Sequence, residues 1–201
     1  MKRICIALVV LVVLLWIGIA VASDRCDSLM SPVKSTSQYY LGQRFPWWYN
    51  LAVAKVETNC RWVVSADGHG SVGYFQLTPK FLDRLLRPLF PDYDKPFSIQ
   101  HFEAFVYYVG VLLKSSPVKK LWIVYQRYNG GDWVIRECQR ARCWVWEECY
   151  RQCRRGNVCV WMTGRGCKRW RSACEINYEY SLKVWQFGQR WKEGEDKVAY
   201  W

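Results

Sequence analysis

Apolar residues recur at helical spacing in five stretches of the chain. Tyr49, Val53, Val56 and Cys60 step by four, three and four, with Ala54 beside them, and Pro46 suits a first helical turn. Thr78-Pro79 reads as a cap followed by proline, with Phe81, Leu82, Leu85 and Leu86 as its apolar side and Pro88 closing the segment. Ser98 predicts the cap of a longer helix with Ile99, Phe102, Val106, Val109 and Leu113 inward. Leu121, Val124, Tyr125 and Tyr128 form the next stripe, which Asn129-Gly130-Gly131 stops. Tyr180, Val184, Phe187 and Trp191 repeat the pattern in a last helix from about Asn177 to Trp191. Strand-like residues are confined to Trp62–Val64 and Val72–Phe75, flanking a glycine-bearing loop. The pattern predicts a mainly α fold with one small β-hairpin.

The ends of this pattern set the domain boundaries. After Lys2 and Arg3, residues Ile4 to Ala22 carry no charge, and Ala20-Val21-Ala22 fits a small-x-small cleavage site. Residues 1–22 therefore read as a secretory signal, and their length equally suits a retained membrane anchor. Residues 23–44 are polar, rich in Ser, Thr and Gln, and predict a linker. Residues 45–201 read as one domain, with an insertion rich in Cys, Arg and Trp at about 133–175.

Composition sharpens the picture. The 201 residues include 13 Trp and ten Cys, and the formal charge is +12. Such a charge favours anionic partners. Export removes nucleic acid from the list and leaves the cell wall or an anionic envelope surface. An exported chain with no C-x-x-C pair favours disulfides over zinc. The expected location is the periplasm or cell envelope. Loss of Cys5 with a cleaved signal would leave an odd number of cysteines. At least three disulfides are expected, mainly among the seven cysteines from Cys138 to Cys174, with Cys60 as a buried free thiol on its apolar stripe. Between Arg136 and Arg171 nine Arg and one Lys face three Glu, a net +7, with Trp144, Trp146, Trp161 and Trp170 interleaved. This predicts a disulfide-stapled unit with a small tryptophan core, compatible with attachment to wall or membrane.

Glu57 is the first candidate for chemistry. It lies four residues after Val53 and three after Ala54, bordering the apolar face near a helix end. A carboxyl that loses water there stays protonated near neutral pH and can serve as a general acid. His69 and His101 have no metal-binding partners at useful spacing, so no metal is expected. Ser65 belongs to no nucleophile elbow.

Four blocks in order resemble the soluble lytic transglycosylase family, bacterial relatives of goose-type lysozyme. They are Glu57-Thr58 for the family's Glu-Ser step; "SADGHGSVGYFQLTP", with Ser65, Gly73 and Gln76 at matching positions; "RYNGG", placing Tyr128 and Asn129; and "NYEYSLKV", placing Tyr180. The resemblance covers about Phe45 to Asp132 and resumes from Asn177 to Trp191. It departs at Tyr74-Phe75, in a loop about two residues longer before Gly73, at Arg127, and in the Cys138–Cys174 segment.

The resemblance implies a lysozyme-like helical domain without a cofactor, acting on peptidoglycan glycan strands. Glu57 would protonate the leaving oxygen and then act as base on the sugar's own 6-hydroxyl, giving a 1,6-anhydro product. Tyr128 and Tyr180 would bracket and steady Glu57, while Gln76 and Asn129 would bind the substrate. Gly68, Gly70 and Gly73 would let the loop approach it. Asp67 reads either as a turn former or as the second carboxylate of a lysozyme-type hydrolase. A non-catalytic basic wall-binding protein is the third reading.

Overall fold

The computed structural model describes residues 24–65, 69–164 and 166–193. Residues 1–22 and Asp67 lie outside this description. The described chain forms eight α-helices, a two-stranded antiparallel sheet and a closing 3-10 turn. They are α1 (Asp27–Leu41), α2 (Trp47–Thr58), α3 (Pro79–Leu86), α4 (Ile99–Ser115), α5 (Leu121–Gly130), α6 (Trp133–Ala141) and α7 (Trp146–Gln152). Strands β1 (Asn157–Thr163) and β2 (Gly166–Ser172), helix α8 (Ala173–Gly188) and the turn Gln189–Trp191 complete the order. The fold is mainly α, as the periodicity predicts, with a small sheet and a disulfide-rich segment.

The main core lies between α1, α2, α4, α5 and α8. Its centre is α2, whose Leu51, Ala52, Val53 and Ala54 are all fully buried. Each large side chain buried here is worth about 1.5–3 kcal/mol. Helix α5 is buried from Leu121 through Arg127. Leu121, Val124 and Tyr125 enter the main core, while Trp122 and Ile123 enter a second cluster with Trp133, Val134, Cys138 and Tyr178. Helices α2 and α8 approach closely at Gly188, where a Cβ would come within 2.3 Å of the Tyr49 ring. That approach aligns Tyr180 with the end of α2.

Four expectations are corrected. Residues 23–44 are not a linker, for α1 occupies most of that span and buries Leu29 and Val33. Its polar residues are satisfied internally: Thr36 Oγ1 donates to Pro32 O, Asn50 Nδ2 donates to Ser37 Oγ, and Tyr125 Oη donates to Asn50 Oδ1. Bonded in this way, hydroxyls and amides enter a core at little cost.

The hairpin is also elsewhere. Around Val64 and Val72 there are only isolated bridges, Val64 to Val72 and Val72 to Leu77. The chain turns back within six residues there, since Val72 and Leu77 exchange backbone hydrogen bonds, so no ladder extends. The sheet is β1–β2, inside the cysteine-rich segment and closed by Cys159–Cys167.

Cys60 is not free. It bonds Cys26, across a sequence separation of 34. The cluster holds Cys143–Cys149, Cys153–Cys174 and Cys159–Cys167, meeting the expected three. Among the described residues the free cysteine is Cys138, buried in the second cluster. Trp144 and Trp146 pack against that cluster as expected, but Trp161 and Trp170 stand exposed. Four disulfides mark an extracytoplasmic protein. Among the described residues no helix is long and apolar enough to cross a membrane.

Candidate active site

Glu57 sits in the last turn of α2, and that turn is fastened three ways. Asn59 takes the left-handed conformation that ends the helix (φ 53°), and its N–H donates to Lys55 O. The Cys26–Cys60 bond holds the next residue. Thr58 Oγ1 donates to Tyr74 O at 2.9 Å, tying the helix end to the 72–77 turn. The Thr of the Glu-Thr step is thus a positioning group.

The 72–77 turn is built around Gly73 and His101. Gly73 has φ +81°, and a Cβ there would lie 2.1 Å from the His101 ring. Tyr74 N–H donates to His101 Nε2 at 3.1 Å, while His101 Nδ1 lies 2.7 Å from Tyr93 O. These partners assign the proton to Nδ1. Burial pushes the His101 pKa down to about 4, so the ring is neutral. Gln76, also left-handed at φ 54°, donates its side-chain amide to Gly73 O and Val63 O. Phe75 stacks on Phe105 of α4 at 3.8 Å between ring centres.

A cleft of about 330 Å³ opens beside this turn. It is lined by Glu57, Ser71, Gln76, Thr78, Phe81, Leu82, Tyr108, Tyr128 and Asn129. Glu57 is partly buried at this cleft, and desolvation pushes its pKa from the usual 4.5 up to about 7. Tyr180, buried in the core, donates to Glu57 Oε1 at 2.6 Å and opposes that rise. Burial and the nearby Glu57 charge hold the Tyr180 and Tyr128 hydroxyls well above their usual range, so both remain donors.

Of the predicted residues, Glu57, Gln76, Tyr128 and Asn129 share the cleft wall, and Tyr180 reaches Glu57 from the core. Tyr128 does not bond Glu57 as expected; its hydroxyl donates to Phe75 O at 2.5 Å and so braces the turn. Gly73 shapes the turn without lining the cleft. Ser65 pairs its N–H with Ser71 O and is likewise outside the lining. Ser71, Thr78, Phe81, Leu82 and Tyr108 were not foreseen as a wall. The Ser71 and Thr78 hydroxyls share a hydrogen bond of 2.8 Å. Tyr108 falls between the inward positions of α4, off the stripe that revealed the helix.

Arg127, a departure in the sequence pattern, has a structural account. Its buried guanidinium donates to Asp132, to Leu112 O and to the hydroxyls of Ser115 and Ser116. It clamps the end of α4 to α5 and holds Tyr128 and Asn129 beneath the cleft. Among the described residues no three His, Cys, Asp or Glu side chains gather to hold a metal.

Compared with protein-family models, with curated proteins and with solved structures, the chain gives no match.

Proposed function

We propose that the protein is a peptidoglycan lytic transglycosylase of the cell envelope. It would cut the bond between N-acetylmuramic acid and N-acetylglucosamine, leaving a 1,6-anhydro end. One observation carries the proposal: a carboxyl whose pKa is pushed up to about 7 lines a cleft and accepts a hydrogen bond from a buried tyrosine.

The chemistry follows from that pair. Protonated Glu57 gives its proton to the glycosidic oxygen as the bond to the anomeric carbon breaks. The carboxylate left behind is stabilised by Tyr180. It then takes the proton of the muramic 6-hydroxyl, whose oxygen closes on the anomeric carbon. Glu57 regains its proton and no water is consumed. Ser71, Thr78 and Asn129 supply polar groups along the wall, and Phe81 and Tyr108 supply faces for sugar rings. The resemblance of the four sequence blocks supports the same reading.

Digestion of purified peptidoglycan followed by mass spectrometry of the muropeptides tests it. Anhydro ends, lighter by one water than hydrolytic ends, are expected. Reducing ends alone, lost on Asp67→Asn, would indicate a lysozyme-type hydrolase. Binding without cleavage would indicate a wall-binding protein.

A further inference from the structure

The β1–β2 hairpin is the part of the molecule least used by the cleft. Its register runs from Asn157 opposite Ser172 to Thr163 opposite Gly166, and Cys159–Cys167 staples it. A two-stranded ribbon has no core of its own. Yet Val158, Val160, Trp161, Met162 and Trp170 are all exposed on it, Met162 to 67 %. Residues Arg154 to Ser172 contain no acidic side chain. Lys168 and Arg169 are exposed and, among the described residues, form no ion pair; Lys168 Nζ lies over the Trp161 ring at 5.8 Å. Arg171 is different, being paired with Glu175 and Glu179 of α8.

We propose that this hairpin docks the protein on an anionic lipid bilayer. Charge complementarity selects the partner: cations without counter-charges favour an anionic surface. The apolar residues select lipid over glycan. Tryptophan sits well at the headgroup level, and Val160 and Met162 gain from the hydrocarbon beneath it. A saccharide would instead need fixed polar partners beside an aromatic face. Here Thr163 Oγ1 is bonded to Gly166 O, and the Ser172 side chain caps α8. The disulfide keeps the ribbon extended, so little order is lost on docking. This surface is independent of the chemistry proposed for Glu57.

Co-sedimentation with vesicles tests the proposal on residues 24–201, which contain the whole packed core described above. Phosphatidylglycerol–phosphatidylethanolamine vesicles are compared with phosphatidylcholine vesicles and with purified peptidoglycan sacculi. Strong, salt-sensitive partitioning to the anionic vesicles alone is expected. Each cation near such a surface is worth about fivefold in partitioning, so Lys168→Ala with Arg169→Ala lowers it roughly thirtyfold. Trp161→Ser with Met162→Ser lowers it at least about tenfold. Glycan cleavage and the non-reduced mass report folding of each variant, and salt dependence of the unaltered protein provides a reading that needs no variant. Equal binding to phosphatidylcholine, binding to sacculi alone, or salt-independent partitioning would overturn it.

Discussion

Tyr180 Oη donates to Glu57 Oε1 at 2.6 Å across a sequence separation of 123. This bond and the burial of Glu57 pull its pKa in opposite directions. Burial favours the neutral acid, while the phenol favours the anion. The proposed reaction would turn this acid into a base within one turnover, and a pKa near 7 keeps both forms accessible.

Glu57→Gln removes the transferable proton while keeping the shape. Glycan cleavage is expected to fall by about 10²–10⁴-fold, measured as muropeptide release. Stability should change in the other direction. The folded pKa is about 7 and the usual value 4.5, so the folded state retains a proton that the unfolded state loses. Glu57 therefore costs stability progressively between about pH 4.5 and 7. The variant should exceed wild type by about 1–3 kcal/mol above pH 7 and match it below pH 4.5, as read by denaturant titration.

Tyr180→Phe removes the bond that favours the carboxylate. The Glu57 pKa then rises further, so the alkaline fall in activity moves to higher pH. Activity at the optimum drops about tenfold, as expected for a lost bond to a charged group. A pH–rate profile distinguishes this from simple unfolding, which would lower activity without moving the limb.

His101 titrates against Glu57. Its pKa is about 4 when folded and 6.5 otherwise, so its stability contribution is full above pH 6.5 and fades as pH falls towards 4. Between about pH 4.5 and 6.5 the two effects cancel in slope. Glu57→Gln should unmask His101, and the variant's stability should climb with pH across that window while wild type stays flatter.

Gly73→Ala should cost about 2–4 kcal/mol, because a Cβ meets the His101 ring and φ is +81°. The displaced ring releases Tyr74 N–H and with it the turn that carries Gln76. Thermal melts should show the loss, and cleavage should fall with it.

Peptide mapping without reduction is expected to recover Cys26–Cys60, Cys143–Cys149, Cys153–Cys174 and Cys159–Cys167. Cys138 should react with a thiol reagent only after unfolding, since it is buried and its pKa is pushed up to about 12. Replacing Cys26 and Cys60 with Ser should cost about 2–4 kcal/mol.

Helices that bury a clean apolar stripe were legible before any coordinates. Leu121, Val124 and Tyr125 of α5 and Tyr180 and Val184 of α8 are buried as their stripes predict, Tyr128, Phe187 and Trp191 are partly buried against the same core, and the Ser98 side chain caps α4 by accepting from Gln100 N–H. Helix α1 was not legible, because its buried Ser37 and Thr36 look like linker residues until Asn50 and Pro32 are seen to bond them. That omission also hid the partner of Cys60. The true hairpin was hidden by its cysteines and by register shifts near Trp161. In the site, Glu57 and its neighbours followed from ordered blocks. Tyr108 and the Thr78–Ser71 pair did not, because they converge only once the 72–77 turn has closed on α4.

The locking of α1 also fixes how the cleft can be presented. Its 15 residues span about 22 Å. They are held by Cys26–Cys60, by the Lys55–Asp24 ion pair and by the Ser37–Asn50–Tyr125 chain. A domain hung on a loose strap would sweep its cleft through a wide arc. With α1 fastened to α2 and α5 in this way, the direction in which the chain enters α1 also sets the bearing of the cleft.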